Sequence, residues 1–256
     1  MNKVRAKKHF GQHFLKDDAI AKSITDLLSE NTKKVVEIGP GMGVLTKYLL
    51  QKDIDLRVVE LDKDSISYLR LHYSQLGKDI LNADFLQLNL QKSFGKVFSI
   101  IGNFPYNISS QILFRVYENK ESIPEVVGMF QKEVAERVVA KRGKKRGILS
   151  ILLQAFYDIE YCFTVDEHVF HPPPKVKSGV IRLKRNKLEK LSCDEKLFKQ
   201  IVKTGFNQRR KTLRNALKSF SLENELTLAD LLPKRAEELS VKDWITITLA
   251  CQKKSK

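Results

Sequence analysis

Lys34-Val35-Val36-Glu37-Ile38-Gly39-Pro40-Gly41-Met42-Gly43 is the stretch that decides the fold. Five residues of strand length run into a glycine-rich turn, and residues 44–50 then recur at helical spacing. Glycines at such a junction permit a tight turn and let the backbone approach a ligand closely. Position 44 is Val where a dinucleotide fingerprint wants a third glycine, and the acid Glu37 is no part of that fingerprint. Taken alone, the turn is equally a strand-to-helix connection with no ligand.

Working outward, strand-like runs at 56–60, 79–83, 97–101, 126–130, 161–165 and 180–183 alternate with helical spacing at 64–73 and 109–117. The pattern predicts a mostly parallel α/β sheet covered on both faces, with ligands bound beyond the carboxyl ends of its strands. From about Asn186 the pattern changes. Phe198, Ile201 and Val202 recur at helical spacing, as do Leu213, Ala216 and Leu217, and Ser240 with Asp243 resembles a helix start before Trp244. The expected organisation is therefore a domain over 1–185 with a basic N-terminal arm, followed by a small all-helical domain over 186–256.

Composition bounds the partners. Lys and Arg number 46 against 30 acids, a formal charge of +16, and a surplus of that size favours polyanions through counterion release. Cys162, Cys193 and Cys251 are scattered and the five histidines form no zinc spacing, so neither a disulfide framework nor a metal site is indicated. Lys3, Arg5, Lys7 and Lys8 precede no apolar run, and no stretch is long enough to span a bilayer. These features predict a cytoplasmic protein with no membrane partner.

Acids stand where an adenosine would need them. Glu60 ends the second strand, placed to accept both hydroxyls of a ribose, and Asp84 follows the third, placed to accept from an adenine amino group. With Gly39 and Gly41 they describe a site for an adenosine without a pyrophosphate, which S-adenosylmethionine fits. Asn103-Phe104-Pro105-Tyr106 comes directly after the fourth strand. An exocyclic amine is a poor nucleophile because its lone pair is delocalised into the ring. An Asn side-chain oxygen and a nearby backbone carbonyl can accept both amine hydrogens, which moves the nitrogen toward a tetrahedral geometry. Pro105 fixes the backbone and Tyr106 offers a ring face for the base, so catalysis is mostly positioning and electrostatics. Phe170-His171-Pro172-Pro173-Pro174-Lys175-Val176 is a rigid run that can hold Phe170 over an extruded base opposite Tyr106.

With these motifs in order, the chain closely resembles the ribosomal RNA adenine dimethyltransferases, and within them the bacterial small-subunit dimethyladenosine transferases. The resemblance runs from Phe10-Gly11-Gln12-His13-Phe14-Leu15 to Gly205-Phe206-Asn207-Gln208-Arg209-Arg210-Lys211-Thr212-Leu213, the latter typical of the small-subunit group. It implies a seven-stranded Rossmann-like methyltransferase sheet with a helical C-terminal domain. It also implies dimethylation of two adjacent adenosines in a hairpin loop near the 3′ end of small-subunit rRNA, within a partly assembled subunit. By the same resemblance the Gly11-to-Leu15 segment helps close over the cofactor, which points to His13 and Leu15, and the remaining cofactor contacts fall on Gly39, Glu60, Asp84 and Asn103. The chain departs twice: His13 stands for the usual Asn, and Phe104 for the usual Leu.

Lys141-Arg142-Gly143-Lys144-Lys145-Arg146-Gly147 reads as a loop, and Arg209, Arg210, Lys211 and Arg214 cluster early in the second domain. Charge runs of this kind are usually solvated, but in a protein that holds folded RNA they are expected phosphate contacts. Other readings are an assembly factor that mainly binds, an erythromycin-resistance-type enzyme acting on large-subunit RNA, and a DNA adenine methyltransferase. Asn103 and Tyr106 speak against the first, the Gly205-to-Leu213 motif against the second, and Phe104 in place of a proline against the third. The default oligomeric state is a monomer.

Overall fold

The computed structural model describes residues 4–222 and 228–252, so Lys3 of the basic arm lies outside the described residues. The chain divides into two compact units, 1–135 with 159–185 and 136–158 with 186–256. The second unit takes in 136–158, a stretch that the sequence reading assigned to the first.

The first unit is built on a seven-stranded sheet of order β4-β3-β2-β5-β6-β9-β7. Its strands are β2 (Lys34–Ile38), β3 (Asp55–Glu60), β4 (Ile80–Asn82), β5 (Ser99–Asn103), β6 (Glu125–Gln131), β7 (Tyr157–Val165) and β9 (Ser178–Arg185). The pairs from β4 through β6 are parallel, and β9 runs antiparallel to β6. All seven runs seen in the sequence are strands. The fourth begins at Ser99 and not Val97, because Val97 projects into solvent and Phe98 bonds instead to the Ser122 carbonyl.

Two further strands, β1 (Phe14–Leu15) and β8 (Phe170–His171), pair only with each other, antiparallel, with Leu15 opposite Phe170. Two-residue strands carry no periodicity, which is why the sequence does not announce them.

Parallel strands covered on both faces bury nearly every side chain, and apolar Val35, Val36 and Ile38 are buried together with the acid Glu37. The helices α1 (Asp18–Asp26), α2 (Thr46–Leu49), α3 (Lys63–His72), α4 (Leu90–Phe94) and α5 (Ser109–Glu118) fall between strands. Side-chain caps start three of them: Asp17 accepts from Ile20 N, Asp62 from Asp64 N and Asn89 from Lys92 N. Ile24, Leu45, Leu49, Ile66 and Leu69 pack with Val35, Val58, Ile101 and Val127 into one core cluster. A helix, α6 (Lys132–Val139), follows β6. From β2 the order runs to β3 and β4 on one side and to β5 and β6 on the other, so a crevice opens where the two directions part.

The second unit is mainly helical: α7 (Ile148–Gln154), α8 (Glu195–Asn207), α9 (Leu213–Ala216) and α10 (Val241–Gln252). Helix α8 packs on both α7 and α10. The close approach of α8 to α10 depends on Gly205, where a Cβ would lie 2.4 Å from Trp244 Cη2. Ser240 and Asp243 cap α10 reciprocally, Ser240 N donating to Asp243 Oδ2 at 2.8 Å and Asp243 N to Ser240 Oγ at 3.2 Å.

Candidate active site

The crevice at the carboxyl ends of β2, β3 and β5 is an open cleft lined by residues from five separate stretches of chain. The glycine turn contributes Gly39 and Gly41, the end of β3 and the residue after it contribute Glu60 and Leu61, the turn after β4 contributes Asp84 and Leu86, and the end of β5 with the turn that follows contributes Asn103 to Tyr106. Residues Phe10 to Phe14 close another side. Of the residues singled out in the sequence, His13, Gly39, Gly41, Glu60, Asp84, Asn103, Pro105 and Tyr106 are all brought to this one cleft.

The glycines earn their places sterically. Gly41 has φ +55°, and a Cβ there would sit 2.8 Å from the Phe14 ring, so a side chain would be both strained and obstructed.

Glu60 is buried and its carboxylate is held by backbone donors. Oε1 accepts from Leu61 N at 2.8 Å and Asp62 N at 2.9 Å, and Oε2 accepts from Gly41 N at 3.2 Å. Burial raises its pKa above the ordinary value, and those backbone donors pull it back. Glu37 lies behind the turn, fully buried, and accepts from Thr46 Oγ1 at 2.6 Å. Loss of solvation pushes its pKa up to about 8.

Asn103 is oriented by the segment across the cleft: its Nδ2 donates to the His13 carbonyl at 2.9 Å, which leaves Oδ1 as the acceptor. His13 in turn donates from Nδ1 to the Pro172 carbonyl at 2.7 Å, because a carbonyl can only accept. Its ring lies 5.3 Å from that of half-buried Tyr106, tilted by 31°. The Tyr106 hydroxyl is anchored to Ser178 Oγ at 2.6 Å, and burial raises its pKa. Phe104 is buried against Phe130 at a centroid distance of 5.0 Å. Gly102 and Gly128 make the room, since a Cβ at 128 would lie 2.3 Å from the Phe104 ring.

The structure does not bring two expected residues to the cleft. Leu15 is buried behind the glycine turn in a smaller recess with Glu37, Leu45 and Asn103. Phe170 is 1% exposed and belongs to the core with Leu15, Val165 and Val180, because its ladder with β1 directs the ring inward. It therefore offers no face to a base here.

Among the basic residues, Lys144, Lys145, Arg209, Arg210, Lys211 and Arg214 are exposed. Arg146 is a correction. It is buried, and its guanidinium donates to the Leu239 carbonyl, to the Ala140 carbonyl at 3.1 Å and to Gln154 Oε1 at 3.2 Å. Three internal acceptors fix it within the second unit, so it cannot serve as a phosphate contact. Lys145 pairs with Glu136 at 2.6 Å and Arg209 donates to the Lys144 carbonyl at 2.6 Å. Gln208, from the motif thought diagnostic of substrate, donates to the Ala216 carbonyl at 2.9 Å.

Sequence reasoning missed Leu61, Leu86, Asn107 and Ile108 of the lining. Leu61 and Leu86 follow the recognised acids by one and two residues, a proximity that could have flagged them. It also missed the way Lys7 and Gln12 hold the N-terminal segment, which only coordinates reveal.

The lining fits S-adenosylmethionine: two carboxylate acceptors, Glu60 and Asp84, share the cleft with glycines that admit a close ligand and with apolar Leu61 and Leu86. A family model described as ribosomal RNA adenine dimethylase matches residues 3–253. The chain is 59% identical over 252 residues to the ribosomal RNA small subunit methyltransferase A of Cytophaga hutchinsonii, covering 97% of this chain and 98% of the relative. It is 55% identical to the protein of the same name from Bacteroides thetaiotaomicron, covering 97% and 94%. Among solved structures, a dimethyladenosine transferase from Plasmodium falciparum superposes with a TM-score of 0.77 at 25% identity, covering 93% of this chain and 96% of that one. The 23S rRNA methyltransferase ErmE shares the fold, with a TM-score of 0.72 at 23% identity and coverage of 93% and 99%.

Proposed function

The chain belongs to the ribosomal RNA adenine dimethylase family, and from that premise we propose that it converts two adjacent adenosines in the 3′-terminal hairpin loop of small-subunit rRNA to N6,N6-dimethyladenosine, as a step in small-subunit biogenesis. It is an S-adenosylmethionine-dependent rRNA adenine dimethyltransferase. The small-subunit target rests on the relatives that carry that name and on the Gly205-to-Leu213 motif.

The observation that carries the chemistry is the orientation of Asn103. With Nδ2 donating to the His13 carbonyl, Oδ1 is left to accept from an incoming amine. Oδ1 and a backbone carbonyl of the 103–106 turn accept the two amine hydrogens and localise the lone pair on nitrogen. The Pro105 carbonyl accepts from Ile108 N at 3.2 Å, which closes that turn and fixes its shape. Tyr106 supplies a ring face for the base, and its bond to Ser178 sets the ring's angle. S-adenosylmethionine, when bound, supplies a methyl group on a sulfonium. Glu60 would hold the ribose hydroxyls and Asp84 the adenine amino group, with Gly39, Gly41 and His13 completing the enclosure. A neutral nucleophile needs no charged general base, so catalysis is placement and polarisation. Phe170 supports the cleft from the core through its pairing with Leu15.

The RNA is held by exposed cations, Lys144, Lys145, Arg209, Arg210, Lys211 and Arg214, acting on phosphates. Its physiological form is a partly assembled subunit in the cytoplasm, and the enzyme acts as a monomer. Among the described residues no helix is long and apolar enough to cross a membrane.

The test incubates the purified protein and labelled S-adenosylmethionine with unmethylated small subunits, large subunits and free small-subunit RNA, and identifies the product nucleosides by mass. Dimethyladenosine from the small subunit alone is the expected result, with the Asn103→Ala rate lower by about a hundredfold or more. Label in the large subunit moves the enzyme to the other branch of the family. Stable small-subunit binding without transfer refutes the catalytic reading.

A further inference from the structure

One side of the cleft is a strap of chain whose two ends are secured by different physics. At its far end, residues 14–16 are held by backbone bonds: β1 pairs with β8, and Lys16 N donates to the Val169 carbonyl at 2.8 Å. Phe14 and Leu15 are buried there, so this end is anchored in the core. The near end is held chiefly by charge, with one long amide bond beside it from Asn107 Nδ2 to the His9 carbonyl at 3.3 Å. Lys7 Nζ lies 2.5 Å from Asp62 Oδ1 and 2.7 Å from Asp64 Oδ2. Gln12 completes the arrangement, donating from Nε2 to Asp62 Oδ2 at 3.0 Å and accepting the Lys7 backbone N–H at 2.8 Å.

Asp62 is built for this. It is 1% exposed, and its backbone N–H is one of the donors that fix Glu60. A single three-residue turn thus carries both the carboxylate that faces the ribose and the carboxylate that holds the strap. Lys7 itself lies outside the cleft, while Phe10 to Phe14, just beyond it, form the wall.

We propose that Lys7, through Asp62 and Gln12, is a positioning residue that latches the 8–14 strap over bound cofactor, and that its release sets the rate of cofactor exchange. The inference rests on the reading that this cleft holds S-adenosylmethionine. An enzyme that places two methyl groups on one nitrogen must replace spent cofactor between transfers. The strap has one end that can open without disturbing the core, and that end is the charged one. An ion pair of which one partner is a third exposed is weakened by salt, whereas the β1–β8 end is not.

The experiment measures the dissociation rate and Kd of S-adenosylhomocysteine, without RNA, for the parent, Lys7→Ala, Lys7→Arg and Gln12→Ala. Lys7→Ala removes both ion pairs, to Asp62 and to Asp64, and is expected to speed release about tenfold or more. Lys7→Arg restores slow release, and Gln12→Ala gives an intermediate rate. Release from the parent quickens as salt is raised, and release from Lys7→Ala does not. In methylation assays the effect falls on KM for S-adenosylmethionine, with no fall in kcat. Unchanged release from a folded Lys7→Ala protein overturns the latch while leaving the cofactor reading intact. A parent that binds no S-adenosylhomocysteine overturns both.

Discussion

Burial keeps the Glu37 carboxyl protonated well above the usual carboxylate range, with the negative charge of Glu60 adding to the effect. The folded-state pKa, about 8, stands above the ordinary value of 4.5, so the native chain holds a proton that the unfolded chain releases. Stability contributed by this group is therefore present below pH 4.5 and declines as pH rises toward 8. Glu37→Gln keeps the acceptor for Thr46 and removes the titration. Thermal melts should show the Gln variant overtaking the parent as pH climbs through that window; parallel curves would contradict the assignment. Asn103 teaches a second lesson at this scale. Its residue type and its place at the end of β5 were legible in the sequence, but the direction of its amide was not, because the partner is a backbone carbonyl ninety positions away. Position 13 lies on the cleft with an imidazole in the place of the family's usual amide, and it binds the Pro172 carbonyl.

Strands β5 and β6 show how elements accommodate the chain's other departure. Phe104 needs more width than the leucine usual in the family, and Gly102 and Gly128 on adjacent strands provide it. Gly128→Ala would press a methyl into the Phe104 and Phe130 rings and is expected to cost about 1–3 kcal/mol, the usual range for an overpacked core. Combining it with Phe104→Leu should recover part of the loss in denaturant melts. Strict additivity of the two changes would show that the rings are not in contention. Elements of strand length with buried side chains were readable from apolar runs, as β2 and β3 illustrate. The β1–β8 pair was not, since two residues carry no period and the partners lie more than 150 positions apart. That pair is also why Phe170 faces the core and not the cleft, against the expectation from its proline run.

At the scale of the whole molecule, the excess of 16 positive charges supplies attraction to a polyanion, while specific placement separates cations that face solvent from those that do not. Arg210 and Lys211 are exposed, and replacing both with Ala should flatten the salt dependence of RNA affinity by about 1–2 in log–log slope. Arg146→Ala should behave differently. It strands the Leu239 carbonyl and Gln154 Oε1 and is expected to destabilise the second unit by about 2–4 kcal/mol, seen as a lower unfolding midpoint and not as a change in slope. An altered slope with unchanged stability would return Arg146 to the RNA surface. Local order alone was enough to read the sheet class and to single out Glu60, Asp84 and the Asn103-to-Tyr106 tetrapeptide that line one cleft, because each depends on near neighbours: apolar runs, glycines at a turn, acids at strand ends. Only the tertiary structure decided which basic side chains are internal, that Phe170 is core, and that Lys7 reaches Asp62. Those outcomes depend on contacts between residues far apart in sequence, where burial and available partners decide what a side chain does.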